Sequence, residues 1–372
     1  MTKRMWTLIA VLAVAATFPA AGVSRSHGGT LNMIAWEGYL QPQWVKPFEK
    51  QSACTIHAKY AGTSDEMVAL MRSGGGGQYD MVSASGDASL RLIYGGDVQP
   101  VDVSKVPSFK QFGKAFQSPP NNTVKGKHYG ISLQWGPNLL LYNTQKVKPA
   151  PTSWSVIYDP KFKGKITVPD NPIQIADAAL YLKSHQSSLG ITDPYELNPT
   201  QFSATIALLK KQKPLIKKHW ALASDEIDLF KNGDAWVGAT WPIQTATLEA
   251  AKAPVRDLIP KEGATGWLDT WMVSAHTKNL DCAYKWLAYI STPKVQAMQA
   301  VSYQETPVNS LACPYMNKLA PGSCVKYHAN APLKYFKQIY FWKTPIAQCG
   351  WSSQSNCMDY TKWQQAWTEL KG

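Results

Sequence analysis

Beyond its first 25 residues the chain has no run of 18 or more apolar residues, which excludes a multi-span helical membrane protein. Arginine is nearly missing: past residue 22 it occurs only at Arg25, Arg72, Arg91 and Arg256. Groove readout of bases and forked grips on phosphate lean on Arg. The formal charge of +13, carried almost wholly by Lys, therefore reads as a solvated surface and excludes nucleic acid as the expected partner. The seven His are scattered singly and no Cys-x-x-Cys occurs, so neither metal nor cofactor is expected. G-x-S-x-G, H-E-x-x-H and dinucleotide fingerprints are also absent. Gly74–Gly77 is followed by Gln78-Tyr79-Asp80, not by Lys-Ser/Thr, and reads as a helix-to-strand turn. With no catalytic motif, binding is favoured over chemistry and the chain is not expected to be an enzyme.

What remains is informative. The 372 residues are 45% hydrophobic and 17% charged, enough to bury a large core in two domains. Fifteen Trp and 17 Tyr point to stacking against a ligand. Met1 to Gly22 reads as a signal peptide: Lys3 and Arg4, an apolar stretch Met5–Ala16, then the small residues Ala20-Ala21-Gly22. The first Cys is Cys54, so lipid anchoring at the cleavage site is not expected, and the mature protein is expected in the periplasm. Six Cys in an exported chain suggest disulfides, with fifteen connectivities open in principle. Cys313–Cys324 and Cys349–Cys357 would each close a short loop, leaving Cys54–Cys282.

From Thr30 short apolar strands alternate with helical stretches. Leu31–Ala35, Thr55–Tyr60 and Tyr79–Ser83 read as strands, Pro42–Gln51 and Glu66–Arg72 as helices, the latter opened by a capping box between Thr63 and Glu66. A second series runs from Leu139–Tyr142 through Lys165–Val168, Asp177–Lys183, Pro199–Gln212, Asp225–Asn232 and Ala235–Ala239, and the helical stretch Leu280–Ile290 follows. No linker separates the two series. Two lobes joined by more than one crossover are expected, with a ligand between them.

Aromatic residues cluster with acids at Trp36-Glu37-Gly38-Tyr39 and Trp267-Leu268-Asp269, with further aromatics at Trp241-Pro242 and Ser302-Tyr303. Indole and phenol faces attract ammonium groups, and a nearby carboxylate supplies the countercharge. These segments, together with Tyr79-Asp80-Met81-Val82 before Ser85, Trp135-Gly136, Leu141-Tyr142-Asn143, Pro260-Lys261-Glu262-Gly263 and Thr306-Pro307-Val308-Asn309, carry a resemblance. In their order and spacing, from about Thr30 to Trp342, the chain resembles the periplasmic spermidine/putrescine-binding proteins of ABC importers, within the extracellular solute-binding proteins.

The resemblance implies a type II periplasmic-binding-protein fold of α/β class. Each lobe would be a mainly parallel sheet flanked by helices, with crossover strands between lobes. Lobe one would comprise 29–137 and 269–309, lobe two 138–268 and 310–372, and no disulfide would tether the lobes. It also implies ligand contacts at Trp36, Glu37, Tyr39, Ser85, Asp87, Asp170, Trp241, Trp267, Asp269 and Tyr303, the aromatics boxing a methylene chain and the acids holding amino groups. Lys343 would fall close to the site, where its charge would oppose a cation. The implied partners are a polyamine or related amine and a membrane permease, with a monomeric binder. Another small solute (opine, amino-acid-derived or sugar-like) is the alternative, and a secreted glycan hydrolase the rival from another class.

Overall fold

A computed structural model of the chain describes residues 28–331, 333–349 and 356–372; the expected signal peptide lies outside them. The strands, in chain order, are β1 (Thr30–Trp36), β2 (Thr55–Ala61), β3 (Met81–Ala84), β4 (Val98–Gln99), β5 (Thr123–Val124), β6 (Lys127–His128), β7 (Ile131–Pro137), β8 (Leu139–Asn143), β9 (Ile166–Pro169), β10 (Ile216–Trp220), β11 (Val237–Thr240), β12 (Val255–Leu258), β13 (Ala264–Ser274), β14 (Thr306–Pro307) and β15 (Ile339–Phe341). They form two main sheets. The first has the order β14-β7-β13-β3-β1-β2, with β4 and β15 also paired to β13. The second has the order β10-β9-β11-β8-β12, and β5-β6 is a separate hairpin.

Each sheet is mixed. The β-helix-β half is parallel, as expected: β1 with β2 and β3, and β9 with β10 and β11. The other half is antiparallel, because β13 runs against β3 and β7, and β8 runs against β11 and β12.

Local sequence explains the elements that lead to the cleft. The helix Ser64–Arg72 starts where expected, with the Glu66 N–H donating to the Thr63 hydroxyl at 3.1 Å. The Glu66 carboxylate accepts from the Gly62 N–H (2.9 Å), one residue earlier than a reciprocal capping box would have it. Gly75, Gly76 and Gly77 all take positive φ, and a Cβ on Gly76 would lie 2.5 Å from the His276 ring, which accounts for the glycine run as a turn.

The chain passes between the sheets three times, at 137–139, 259–263 and 341–345. The crossings are hydrogen-bonded side by side: the Asn138 N–H donates to the Thr265 carbonyl and the Trp342 N–H to the Gly266 carbonyl, both at 2.7 Å. All of β13 belongs to the first sheet, so the return crossing comes before Ala264 and not at 268/269, because β13 pairs with β15 and β7 from its first residues.

The segment 310–341, grouped with lobe two from the sequence, packs on lobe one. Ala312, Met316, Cys324 and Tyr327 seat on Ala297 and Ala300, small residues that let the helices approach closely, and β15 joins the first sheet. The final helix Tyr360–Lys371 does belong with lobe two, burying Trp363 and Trp367 beside Phe202 and Leu209. All three expected disulfides form: Cys54–Cys282, Cys313–Cys324 and Cys349–Cys357. The second of them staples the segment on lobe one rather than lobe two. Among the described residues no helix is long and apolar enough to cross a membrane, and no cluster of ligating side chains could hold a metal ion.

Candidate functional site

The ends of the strands meet at a cleft of about 510 Å3, counting its mouth, between the two lobes. Lobe one contributes Trp36, Glu37 and Tyr39 from the turn after β1, Ala61 and Gly62 after β2, Ser85 after β3, Asp269 on β13, and Tyr303 with Glu305 before β14. Lobe two contributes Ala221, Leu222 and Ala223 after β10, then Trp241 and Ile243 after β11. Trp267 lines it from the start of β13 and Trp342 from the third crossing. Carboxyl ends of strands are where open α/β sheets place ligands.

The aromatic wall is continuous. Ring centroids of Trp36 and Trp241 lie 5.7 Å apart, Trp241 and Trp267 5.9 Å, and Trp267 and Trp342 6.4 Å. Trp220, fully buried behind them, supports Trp241 edge-on at 4.6 Å. On the opposite side Tyr39 and Tyr303 sit 5.5 Å apart, and the Trp44 indole N–H holds the Tyr39 carbonyl at 2.9 Å. Gly38, at φ 90°, makes the turn between Trp36 and Tyr39, and a Cβ there would press on the Tyr303 ring at 3.1 Å.

The polar floor consists of two buried carboxylates. Asp269 accepts hydrogen bonds from the Ser85 hydroxyl and from the Tyr39 hydroxyl, the latter at 2.5 Å. Glu305 stands on the other side of the same Tyr39 hydroxyl, at 3.5 Å. Both are almost wholly buried, at 1% and 4% exposure, and no Lys or Arg pairs with either among the described residues. Burial pushes the Asp269 carboxyl up to about 7 although its two hydrogen bonds oppose the shift. Burial, and then the charge of Asp269, raises Glu305 well above the ordinary range. Together they place two carboxyl groups, whose ionised forms burial disfavours, at the floor of the cleft. Glu37 differs: it is exposed at the mouth, where the Ser224 hydroxyl of lobe two donates to its carboxylate at 3.4 Å.

Of the ten residues expected from the sequence, eight line this cleft: Trp36, Glu37, Tyr39, Ser85, Trp241, Trp267, Asp269 and Tyr303. Two do not. Asp87 lies two residues past Ser85 in the first turn of the following helix, fully buried, accepting from the Ser64 hydroxyl at 2.8 Å, and burial pushes its carboxyl up to about 6. Asp170 is turned toward the final helix, where the Lys371 ammonium (2.5 Å) and the Trp367 indole N–H (3.0 Å) hold it. Lys343 is likewise absent from the cleft, drawn off by Asp193 at 2.8 Å and Glu196 at 2.5 Å. The cation expected to oppose a cationic ligand is thus neutralised elsewhere. Sequence reasoning missed Glu305 and Trp342. An acid two residues past Tyr303 was the available signal for the first, and the indole next to Lys343 for the second.

Fold and site together define a two-lobed receptor that encloses a small solute between strand ends. The chain belongs to the bacterial extracellular solute-binding proteins, whose family signature spans residues 43–312. It is similar to the putrescine/cadaverine-binding protein of Pseudomonas aeruginosa, 28% identical over 294 residues that cover 75% of this chain and 79% of that one. The spermidine/putrescine-binding periplasmic protein of Escherichia coli K12 is 26% identical over 296 residues, covering 76% and 80%. Among solved structures the TpPotD lipoprotein of Treponema pallidum superposes with a TM-score of 0.71 at 17% identity, covering 92% of this chain and 99% of that one. The binding protein MotA of A. tumefaciens B6, in complex with glucopine, gives 0.70 at 17% identity, covering 92% and 100%. These two share the fold.

Proposed function

We propose that this protein captures a polyamine or related small amine in the periplasm and delivers it unchanged to the membrane permease of an ABC importer. One observation carries the reading: Asp269 and Glu305 are buried together at the cleft floor, and no Lys or Arg among the described residues pairs with either. Leaving a buried charge uncompensated costs several kcal/mol, so such a pair is built to be completed by a ligand cation. The indoles of Trp36, Trp241 and Trp267 then cover the methylene chain and add about 0.5–2 kcal/mol of cation–π attraction at each ammonium they face.

Because the walls come from both lobes, a ligand touching both favours the closed arrangement over an open one, which is the differential affinity that closure requires. The relatives named for putrescine, cadaverine and spermidine support this solute class. Binding without turnover is the expected chemistry, in keeping with a family of solute binders.

The test is a thermal-shift screen with putrescine, cadaverine, spermidine, amino acids, opines and sugars, since a ligand specific for the folded state raises its melting temperature. We expect shifts with amines alone. Asp269→Ala should weaken amine binding by about 2–5 kcal/mol, roughly thirty-fold or more, with the fold retained. A shift with an opine and none with any amine would keep the receptor and discard this ligand. Product formation from any of these compounds would instead restore the hydrolase reading.

A further inference from the structure

We infer that Glu305 is a specificity-determining ligand contact: with Asp269 it grips one ammonium head from two sides, so the cleft selects short diamines over longer polyamines. The inference rests on the solute class proposed above and deepens it.

Geometry carries the first half. The Tyr39 hydroxyl touches Asp269 at 2.5 Å and Glu305 at 3.5 Å, so the two carboxylates lie no more than about 6 Å apart. An ammonium nitrogen at ordinary hydrogen-bond distance from both spans such a gap, and it has three donors to spend on the two acids and a neighbouring hydroxyl. Among the described residues Tyr39 alone bridges them, and its hydroxyl has a single proton to donate. Asp269 is held in place by the Ser85 hydroxyl, and Tyr39 by the Trp44 indole N–H on its carbonyl and by the Tyr303 ring beside it.

Charge counting carries the second half. The cleft offers anionic groups at two places only among the described residues, the buried pair and the exposed Glu37 at the mouth. Every lining residue from lobe two is uncharged: Ala221, Leu222, Ala223, Trp241 and Ile243. Asp170, the acid nearest in sequence to a lobe-two site, is occupied by Lys371. A diamine can set one head in the pair and the other at Glu37, in contact with water. The additional ammonium of a triamine meets an apolar wall, where it loses hydration with no carboxylate in return.

Calorimetric titration of the wild-type protein, Glu305→Gln and Glu37→Gln with putrescine, cadaverine and spermidine tests both halves. Putrescine or cadaverine should bind wild type at least about tenfold tighter than spermidine. Glu305→Gln should weaken both diamines by about tenfold or more, whereas Glu37→Gln, an exposed charge, should cost about fivefold or less. The melting temperature of ligand-free Glu305→Gln should equal or exceed that of wild type, which separates lost recognition from lost folding. Diamine affinity within twofold of wild type in Glu305→Gln would overturn the grip, and spermidine binding as tightly as putrescine would overturn the selectivity. If wild type binds no amine at all, the solute class itself falls and takes this inference with it.

Discussion

Asp170 and Asp269 are the same side chain, one just past the end of β9 and the other midway along β13, yet only one faces the cleft. Asp269 sits on β13 at the register shift against β7, between Leu268 and Thr270, where a bulge re-aims a side chain, and its carboxylate is held by the Ser85 and Tyr39 hydroxyls. Asp170 lies past the end of β9, and Lys371 and Trp367 from the last helix decide its direction. Asp170→Ala should therefore leave amine affinity within about twofold of wild type. Its stability cost should stay near 0–1 kcal/mol, because the ion pair is partly exposed. Titration and denaturant melts check this, and a large loss of affinity would return Asp170 to the site. Eight of the ten expected residues line the cleft, most of them marked in the sequence by aromatic-plus-acid clusters at strand ends. The two misplaced acids were not legible as such, since a partner 201 residues away in sequence, as Lys371 is from Asp170, leaves no local mark.

At the scale of elements, the helix Gly86–Tyr94 shows how tightly the cleft is framed. Gly86 opens it directly after Ser85, and a Cβ there would lie 1.9 Å from the Trp342 carbonyl oxygen on the third crossing. The Thr344 hydroxyl donates to the Gly86 and Asp87 carbonyls at 3.2 and 3.0 Å, locking helix and crossing together. In an ordinary helix Gly→Ala adds about 1 kcal/mol of stability. Here Gly86→Ala should destabilise by about 1–3 kcal/mol instead and lower amine affinity too, because the displaced crossing carries Trp342 into or out of the wall. Equilibrium unfolding together with titration reads both effects, and a stabilised variant would refute the close approach. Helix starts such as Thr63 were visible in the sequence because capping is local, whereas the Gly86–Trp342 contact joins residues from opposite ends of the chain.

For the whole molecule, buried acids set the response to pH. Burial pushes Asp87 up to about 6, and Asp177 and Asp269 up to about 7. In the unfolded chain such groups ionise near 3.9, so between there and about pH 7 the folded state holds protons that the unfolded state has released. Stability then falls as pH rises through that window. Glu262 and Asp225 work in the other direction: both are lowered despite burial, by hydrogen bonds from His185 and Ser153 and from Lys218 respectively, and their contribution is lost only at more acidic pH. The ligand-free protein should melt at a higher temperature near pH 5 than at pH 8. Saturating putrescine should narrow the gap, since an ammonium favours the ionised form of Asp269, whose other titratable neighbours are Tyr39, Asp87 and Glu305. Amine affinity should accordingly rise from pH 5 to pH 8. Calorimetry across that range checks it, and a flat profile would show that these acids do not meet the ligand.

The sequence by itself determined the alternation of strands and helices and the aromatic and acidic residues that follow β1 and punctuate β13, and its even cysteine count and loop spacings suggested the three disulfide pairs that the structure then forms. Each depends on neighbours within a few residues or on simple parity. Only the tertiary structure decided that β13 belongs wholly to the first sheet and that 310–341 packs on lobe one. It also decided that Lys371 and the Asp193–Glu196 pair remove Asp170 and Lys343 from the cleft, and that Glu305 joins Asp269 across one tyrosine hydroxyl. The reason is physical: a buried charge takes its direction from whatever partner the fold brings within about 3 Å, and the partners that matter here arrive from distant parts of the chain.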